Sequence, residues 1–136
     1  MVPVRVSCPR CGASLMDETH PLDGQPSIRV VVVANGDEGV LHLSSLYGSF
    51  RFDTSMAVDQ GDTVLMKCPH CSGVLVTDTP CLVCRASMVK LGLDVGGEVF
   101  FCSRRGCKGH KVELIDLERA MELLYQAARP GGARGA

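Results

Sequence analysis

The chain has 136 residues, of which 46% are hydrophobic and 21% are charged, and its formal net charge at pH 7 is −1. A chain of this length can bury one modest apolar core or the cores of two small lobes. The balanced charge argues against a general nucleic-acid coat protein and against a membrane-surface binder, because both classes usually carry an excess of lysine and arginine.

The charge is distributed unevenly along the chain. Residues 12–67 contain eight acidic and three basic residues. A basic cluster surrounds the last cysteine and consists of Arg104, Arg105, Lys108 and Lys111. The second half of the chain therefore leans basic, whereas the insert is acidic.

The start of the chain predicts a cytoplasmic protein. Residues 1–7 run directly into the first cysteine and leave no room for the apolar stretch of a signal peptide. No apolar run approaches the roughly 20 residues that a transmembrane helix requires, so we expect no membrane residence. In a reducing cytosol, thiols persist as metal ligands more often than as disulfides.

Eight cysteines punctuate the chain as four close pairs. The pairs are Cys8-x2-Cys11, Cys68-x2-Cys71, Cys81-x2-Cys84 and Cys102-x4-Cys107. Two thiolates separated by two residues can occupy adjacent corners of a tetrahedron around Zn²⁺, and two such pairs complete it. The spacing therefore predicts two metal sites, with all eight cysteines as ligands.

Between the first two pairs lies a long insert, residues 13–65, in which β-structure is clearest. Residues 28–34 are rich in β-branched side chains, and an Asn35-Gly36 turn signal separates them from a second candidate strand at 40–46. This pattern predicts a β-hairpin, with further strands at 47–52 and 63–67. Residues 30–33 are all valine, so we expect both faces of this strand to be covered, by the C-terminal helix or by a partner subunit.

The second half of the chain predicts one more hairpin and then a helix. Residues 88–93 and 98–101 read as strands around a turn at 94–97, which joins the third and fourth cysteine pairs. Asp116 stands where an N-cap would, and apolar residues follow at helical spacing, which predicts an amphipathic helix over 116–128. The apolar positions are Leu117, Ala120, Met121, Leu124 and Ala128. Residues 129–136 are expected to be a flexible tail.

We call each close cysteine pair, together with the turn residues between and directly after its cysteines, a knuckle. The first two knuckles resemble those of a known family. Cys8-Pro9-Arg10-Cys11-Gly12 and Cys68-Pro69-His70-Cys71-Ser72-Gly73 resemble the CPxCG knuckles of the zinc-ribbon superfamily, with a rubredoxin-like character at the knuckles only. The resemblance covers about a third of the chain, including 81–107, and implies β-hairpins that clasp zinc in pairs. It does not extend to residues 13–65, and the four-residue gap before Cys107 departs from the simplest pattern.

These features together predict a mainly β fold of the α+β class. It would contain tandem zinc-ribbon-like hairpins with a long β insert and one C-terminal amphipathic helix. The predicted lobes are residues 1–76, which contain the insert, and residues 77–128, which contain the second ribbon and the helix.

The pairing of the knuckles has alternatives. We favour sequential use, with the first two pairs at one site and the last two at the other, because a strand-turn-strand of ribbon size joins the last two. Closing the long insert at the first site costs little extra entropy, since that cost grows only logarithmically with loop length. The rival combines the two central pairs and leaves the outer pairs together. His110 stays a candidate replacement ligand.

Two Zn²⁺ ions are the expected cofactors, with iron as the less favoured metal. Rubredoxin-like centres are shielded by aromatic residues, whereas this chain has two tyrosines, four phenylalanines and no tryptophan. Two complete four-thiolate sites leave no open position for water or substrate, so both metals are expected to be structural. The sequence offers no phosphate loop, nucleophile elbow or paired acid and base, so we expect no enzyme.

Three functions are consistent with these expectations. The first is an accessory or regulatory protein-interaction module, acting as a subunit of a larger complex or by self-association, with no membrane or small-molecule partner. The second is nucleic-acid binding through Arg104, Arg105, Lys108 and Lys111. The third is electron transfer or redox sensing by thiolate-bound iron.

Overall fold

A computed structural model describes the backbone of residues 2–113 and the side chains of residues 2–109. This part of the chain is built from β-strands and contains no helix, which confirms the mainly β prediction. The predicted helix at 116–128 and the predicted tail at 129–136 lie outside the described residues.

The described residues form twelve strands, numbered β1 to β12 in chain order. They are β1 Val2–Pro3, β2 Val6–Ser7, β3 Met16–Leu22, β4 Gln25–Ala34, β5 Asp37–Leu43, β6 Leu46–Tyr47, β7 Phe52–Thr54, β8 Leu65–Lys67, β9 Val76–Pro80, β10 Ser87–Leu93, β11 Glu98–Cys102 and β12 His110–Glu113.

Two five-stranded antiparallel sheets contain most of these strands. In the insert sheet the order is β3-β4-β5-β7, and β8 also pairs with β4. In the ribbon sheet the order is β12-β11-β10-β2, and β9 also pairs with β10. A small third sheet joins β1 to β6. In each large sheet, two shorter strands thus pair with the same long strand. These are β3 and β8 on β4, and β2 and β9 on β10.

The hairpin of the insert is the one that the Asn35-Gly36 signal predicts. Asn35 and Gly36 have φ angles of 54° and 82°, and Ala34 lies opposite Asp37. Two central residues with positive φ are characteristic of a type I′ turn, whose twist matches that of the flanking strands. The predicted hairpin is therefore confirmed, although β5 begins earlier in the chain than the candidate strand at 40–46.

The valine run on β4 has two different faces. Val30 and Val32 are fully buried, whereas Val31 and Val33 are half-buried. One face of β4 therefore belongs to the core, and its other face is only partly covered in the described part of the chain.

The predicted hairpin between the third and fourth cysteine pairs is present as β10 and β11. Five residue pairs connect these strands, from Met88 opposite Cys102 to Gly92 opposite Glu98. An ion pair of 3.3 Å between Lys90 and Glu98 crosses the hairpin. This hairpin therefore sets the separation of the last two knuckles.

The first two knuckles connect the two large sheets. The first leaves β2 of the ribbon sheet and leads to β3 of the insert sheet, and the second leaves β8 of the insert sheet and leads to β9 of the ribbon sheet. The backbone N–H of Leu15 donates to Val6 at 3.1 Å, and that of Leu75 donates to Met66 at 2.9 Å. The two crossings therefore have matching local geometry.

The main core lies between the two large sheets and draws side chains from both. Val6, Leu15, Leu75, Val89 and Leu91 are at most 2% exposed within this core. These residues come from both sides of position 76. The division into lobes at 1–76 and 77–128 stays a prediction.

Within residues 2–113, no helix has the length and apolar character needed to cross a bilayer.

Candidate metal centres

Site one consists of the sulfur atoms of the first two cysteine pairs, Cys8, Cys11, Cys68 and Cys71. Cys8 Sγ lies 3.8 Å from Cys71 Sγ, and Cys11 Sγ lies 3.8 Å from Cys68 Sγ. Each close contact joins one knuckle to the other. Arg10 reinforces this junction, since its Nε donates to the carbonyl oxygen of Val74 at 3.0 Å.

Site two consists of the sulfur atoms of the last two pairs, Cys81, Cys84, Cys102 and Cys107. Cys81 Sγ lies 3.7 Å from Cys107 Sγ, and Cys84 Sγ lies 3.3 Å from Cys102 Sγ. The structure thus groups the four pairs sequentially, as the sequence favours, and not in the rival arrangement.

Both groups have dimensions that suit a tetrahedral metal ion. With Zn–S bonds of about 2.3 Å, the sulfurs of a regular tetrahedron are about 3.8 Å apart. All four sulfurs of each group lie within 4.8 Å of one another. No two of the eight cysteines form a disulfide. Each group could therefore hold one metal ion with four protein ligands.

The knuckle backbones point N–H groups at the sulfurs. At site one, Cys8 Sγ accepts from the N–H of Arg10 at 3.3 Å, and Cys68 Sγ accepts from the N–H of His70 at 3.3 Å. At site two, Cys81 Sγ accepts from the N–H of Val83 at 3.4 Å. Such donors stabilise thiolates and fix the direction of the sulfur, as is typical around bound metals.

At site one, the pKa values of the Cys8 and Cys68 thiols are shifted in opposite directions. Burial opposes ionisation of Cys8, but the N–H groups of Cys11 and Arg10 outweigh it and lower the pKa of this thiol to about 7. Burial raises the pKa of Cys68 to about 11, and the neighbouring thiols act in the same direction. A divalent cation would remove this conflict, because it stabilises all four thiolates together.

At site two the thiol pKa values are also shifted in opposite directions, and a cationic side chain contributes to the shift. The N–H of Ala86 and then the guanidinium of Arg104 lower the pKa of Cys84 to about 6, whereas burial raises the pKa of Cys102. Arg104 Nε donates to Cys84 Sγ at 3.4 Å, and its Nη1 donates to the carbonyl oxygen of Gly61 at 2.7 Å. Arg104 thus connects site two to the insert.

Gly109 closes site two from the side of β12. A Cβ at this position would collide with Cys81 Sγ and would lie 3.6 Å from Cys107 Sγ. The backbone N–H of Cys102 donates to the carbonyl oxygen of Gly109 at 3.0 Å. The backbone at this position therefore packs directly against the sulfur atoms, which only glycine permits.

The other candidate residues from the sequence analysis are two histidines and the basic cluster around Cys107. His70 is exposed on the second knuckle, as its place between two cysteines suggests. The side chains of His110 and Lys111 lie outside the described residues, so His110 as a replacement ligand stays a prediction. Arg105 lies over the ring of Phe52 and Lys108 over that of Phe50, each 5.6 Å from the ring centroid. The basic cluster thus has aromatic neighbours from the insert that the sequence analysis did not foresee.

One signal that the sequence analysis missed is a short internal repeat. Residues 4–15 and 64–75 share a valine, two cysteines, a proline and a leucine at equal spacing, 60 positions apart. In both copies the carbonyl of the leucine accepts a backbone hydrogen bond from a central strand, from Arg29 at 2.8 Å and from Lys90 at 3.0 Å. Aligning the chain with itself would have indicated that the first two knuckles are equivalent units.

A second group missed by the sequence analysis lies on the insert sheet. The rings of His20 and His42 stack with their centroids 3.7 Å apart. His42 Nε2 lies 3.0 Å from Asp17 Oδ2, and His20 Nε2 lies 2.8 Å from Asp53 Oδ2. His20 and Asp17 lie on β3, whereas His42 and Asp53 lie opposite each other on the paired strands β5 and β7. The fold thus brings together residues that are far apart in sequence, which single-residue reasoning does not reveal.

The chain was compared with known proteins in three ways. No protein-family model, no curated protein and no solved structure matches it. The functional conclusion therefore depends on the chain's own geometry.

Proposed function

We propose that this protein is a non-catalytic module in which two structural four-cysteine zinc sites hold a rigid surface for binding another protein. The proposal rests on two exposed apolar side chains at the tip of the third knuckle. Leu82 is 94% exposed and Val83 is 73% exposed, although both are aliphatic. The tips of the first two knuckles carry Pro9-Arg10 and Pro69-His70 at the corresponding positions.

The zinc part of the proposal rests on the donor set. Four thiolates at tetrahedral separation are typical of structural zinc and leave no coordination position for water. Zinc would supply a fixed charge and a fixed geometry, while the residues of this chain orient the sulfurs. Without an open position the metal serves folding, which favours a non-catalytic role.

The exposed tip is held in one conformation before any partner arrives. The N–H of Arg85 donates to the carbonyl oxygen of Cys81 at 2.8 Å, and the N–H of Cys81 donates to that of Ala86 at 2.8 Å. A pre-organised apolar contact binds with a smaller loss of conformational entropy than a flexible one. Contacts of this kind are well suited to fill a pocket on a partner protein.

The test is affinity purification of the tagged full chain from its native host, with the double substitution Leu82→Ser and Val83→Ser as the comparison. We expect a partner that co-purifies in fixed proportion with the unaltered chain and is lost with the double variant. Both side chains are exposed, so the substitutions should leave the metal content and the thermal stability unchanged.

Leu65→Ser is the matched control, because Leu65 is an apolar residue that is 39% exposed and lies on β8 of the insert sheet. It should retain the partner. Retention of the partner by the double variant, or purification of the unaltered chain without any stoichiometric partner, would refute the interaction role.

Nucleic-acid binding through Arg104, Arg105, Lys108 and Lys111 is the alternative, and Phe50 and Phe52 would add aromatic surface to it. Arg104, however, donates to Cys84 and to Gly61, and Arg105 Nη1 donates to the carbonyl oxygen of Val58. These internal bonds reduce the capacity of the cluster for phosphate. A salt-dependent gel shift that Arg105→Ala abolishes would favour this alternative.

Thiolate-bound iron in electron transfer or redox sensing is the second alternative. Four sulfurs suit iron as well as zinc, and affinity order alone does not decide between them. Elemental analysis of protein purified from its host distinguishes the two metals.

A further inference from the structure

The four cysteines of site one differ in exposure. Cys8 and Cys68, the first cysteine of each knuckle, are buried, whereas Cys11 and Cys71, the second of each, are exposed. Oxidation of a cysteine requires an accessible sulfur in its thiolate form, and a metal ion holds its ligands as thiolates. Cys11 and Cys71 therefore meet both conditions when site one is loaded.

Hydrogen bonding distinguishes the two exposed cysteines. Cys71 Sγ accepts from the N–H of Gly73 at 3.4 Å. In the part of the chain that the structure describes, no N–H group donates to Cys11 Sγ, which contacts Cys68 Sγ. A donated hydrogen bond stabilises the negative charge of a thiolate and so reduces its tendency to attack an electrophile. Cys11 is therefore the more reactive of the two exposed sulfurs.

A second sulfur lies within reach of Cys11. Cys68 Sγ, on the other knuckle, is 3.8 Å from Cys11 Sγ. Cys68 is buried, and its sulfur accepts from the N–H of His70 at 3.3 Å, so an oxidant in solution does not reach it first. A disulfide bond is about 2.05 Å long, so a modest shift of the two side chains would close one.

Site two is better shielded than site one. Two of its cysteines are buried, and the other two, Cys84 and Cys107, are half-buried. Arg104 Nε donates to Cys84 Sγ at 3.4 Å. The backbone of Gly109 packs so closely that a Cβ there would collide with Cys81 Sγ. Oxidants should therefore react with site two more slowly.

We infer that site one responds to hydrogen peroxide, with Cys11 as the sulfur that reacts first and Cys68 as the sulfur that completes a disulfide. The thiolate of Cys11 attacks one oxygen of the peroxide, the O–O bond breaks, and hydroxide leaves. The thiolate of Cys68 then attacks the sulfur of the resulting sulfenic acid, the S–O bond breaks, and a second hydroxide leaves. Two thiolates thus lose two electrons, and the peroxide, with two protons from water, becomes two water molecules.

The disulfide would remove two of the four ligands of site one, so that its metal is released while site two keeps all four. The first two knuckles connect the two large sheets, so this oxidation acts at their junction. A thiol reductant and added zinc should restore the site, because sulfenic acids and disulfides are reversible forms. The protein thereby has one permanent metal and one that responds to oxidant.

The test exposes the metal-loaded full chain to one equivalent of hydrogen peroxide, with and without dimedone, which traps sulfenic acids. Peptide mass spectrometry locates the products, and an indicator measures released zinc. We expect dimedone at Cys11 at least fivefold more than at Cys71 or at any cysteine of site two. Without dimedone we expect a disulfide between Cys11 and Cys68 and the release of one metal ion per chain.

Three results would overturn the inference. They are equal labelling of Cys11 and Cys71, a first reaction at site two, and a disulfide that forms within one knuckle. The disulfide map does not depend on which metal is bound. Metal analysis before oxidation therefore separates a wrong zinc assignment from a failure of this inference.

Two serine variants form a matched pair. Cys11→Ser and Cys71→Ser each remove one exposed ligand of site one, so both should weaken its metal binding. Cys71→Ser should still be labelled by dimedone at Cys11, whereas Cys11→Ser should lose labelling at site one. Equal labelling of site one in the two variants would contradict the role given to Cys11.

Discussion

At the scale of single residues, Gly109 is the position where one added methyl group should do most harm to a metal site. We predict that Gly109→Ala lowers the zinc affinity of site two by about 10- to 100-fold, the usual effect of disturbing the surroundings of metal ligands. The reason is that the new Cβ would collide with Cys81 Sγ. Competition with a chromophoric chelator would measure the affinity of both sites.

Gly73→Ala is the matched control at site one. There the added Cβ meets mainly the end of the flexible Arg10 side chain, with Cys71 Sγ at 3.2 Å. A smaller loss of affinity at site one is expected. Equal losses in the two variants would show that Gly109 has no special role.

Arg104 should control the pH at which site two loses its metal. The pKa of Cys84 is lowered from its usual value of 9 to about 6, by the N–H of Ala86 and by Arg104. A lowered thiol pKa stabilises the ligand form above pH 6, and this contribution is lost as the pH falls through that value. Arg104→Gln raises the pKa, so protons should displace the metal of site two at a higher pH than in the unaltered chain.

The measurement is metal release against pH, followed with a zinc indicator. Arg85→Gln is the control, since Arg85 is an exposed arginine that directly follows Cys84 on the third knuckle. It should leave the release curve in place, and site one should be unaffected in both variants. An unchanged curve for Arg104→Gln would contradict the role given to this guanidinium.

Ser27 is a buried polar residue whose hydroxyl group we expect to destabilise the fold. Within the described part of the chain its Oγ has no hydrogen-bond partner, and the residue is 0% exposed. Ser27→Ala should therefore raise the free energy of unfolding by about 1 kcal/mol, because a buried unpaired hydroxyl is costly.

Chemical denaturation of the metal-loaded protein would measure this change. Ser45→Ala should lower stability by a similar amount, because Ser45 Oγ donates to the carbonyl oxygen of Pro26 at 2.7 Å. A destabilised Ser27→Ala protein would indicate that this hydroxyl has a partner.

At the scale of elements, the two hairpins with strong local signals could be predicted from sequence, and so could β8, which lies within the strand predicted at 63–67. The Asn35-Gly36 turn and the β-branched run before it fixed β4 and β5, and the turn at 94–97 fixed β10 and β11. In contrast, β3 contains Met-Asp-Glu-Thr-His-Pro-Leu and has no apolar alternation. It is a strand because it pairs with β4, so tertiary context overrides its weak local preference.

The turn of the insert hairpin gives a prediction at this scale. Gly36 has a φ of 82°, a conformation that costs a residue with a Cβ roughly 1 kcal/mol. Gly36→Ala should lower the free energy of unfolding by about that amount. Gly36→Asn should cost less, since asparagine tolerates this region, and thermal denaturation would rank the two. Equal stability of all three proteins would show that the turn does not limit the hairpin.

At the scale of the whole molecule, the metal groups were predictable because cysteine spacing encodes them, whereas the tertiary surface was not. The spacing indicated which residues are metal ligands, and the internal repeat indicated that the first two knuckles are equivalent. Nothing in the spacing indicated that Arg104 would reach Cys84, or that Phe50 and Phe52 would lie beside Lys108 and Arg105. Those contacts depend on how the insert packs against the last knuckle, which requires the fold.

Zinc K-edge X-ray absorption, combined with metal analysis of the full chain, tests the central claim most directly. Two zinc ions per chain should be present, each with four sulfur neighbours at about 2.3 Å and no oxygen or nitrogen ligand. A spectrum that requires an oxygen or nitrogen ligand, a stoichiometry below two, or iron in place of zinc would contradict two closed structural zinc sites.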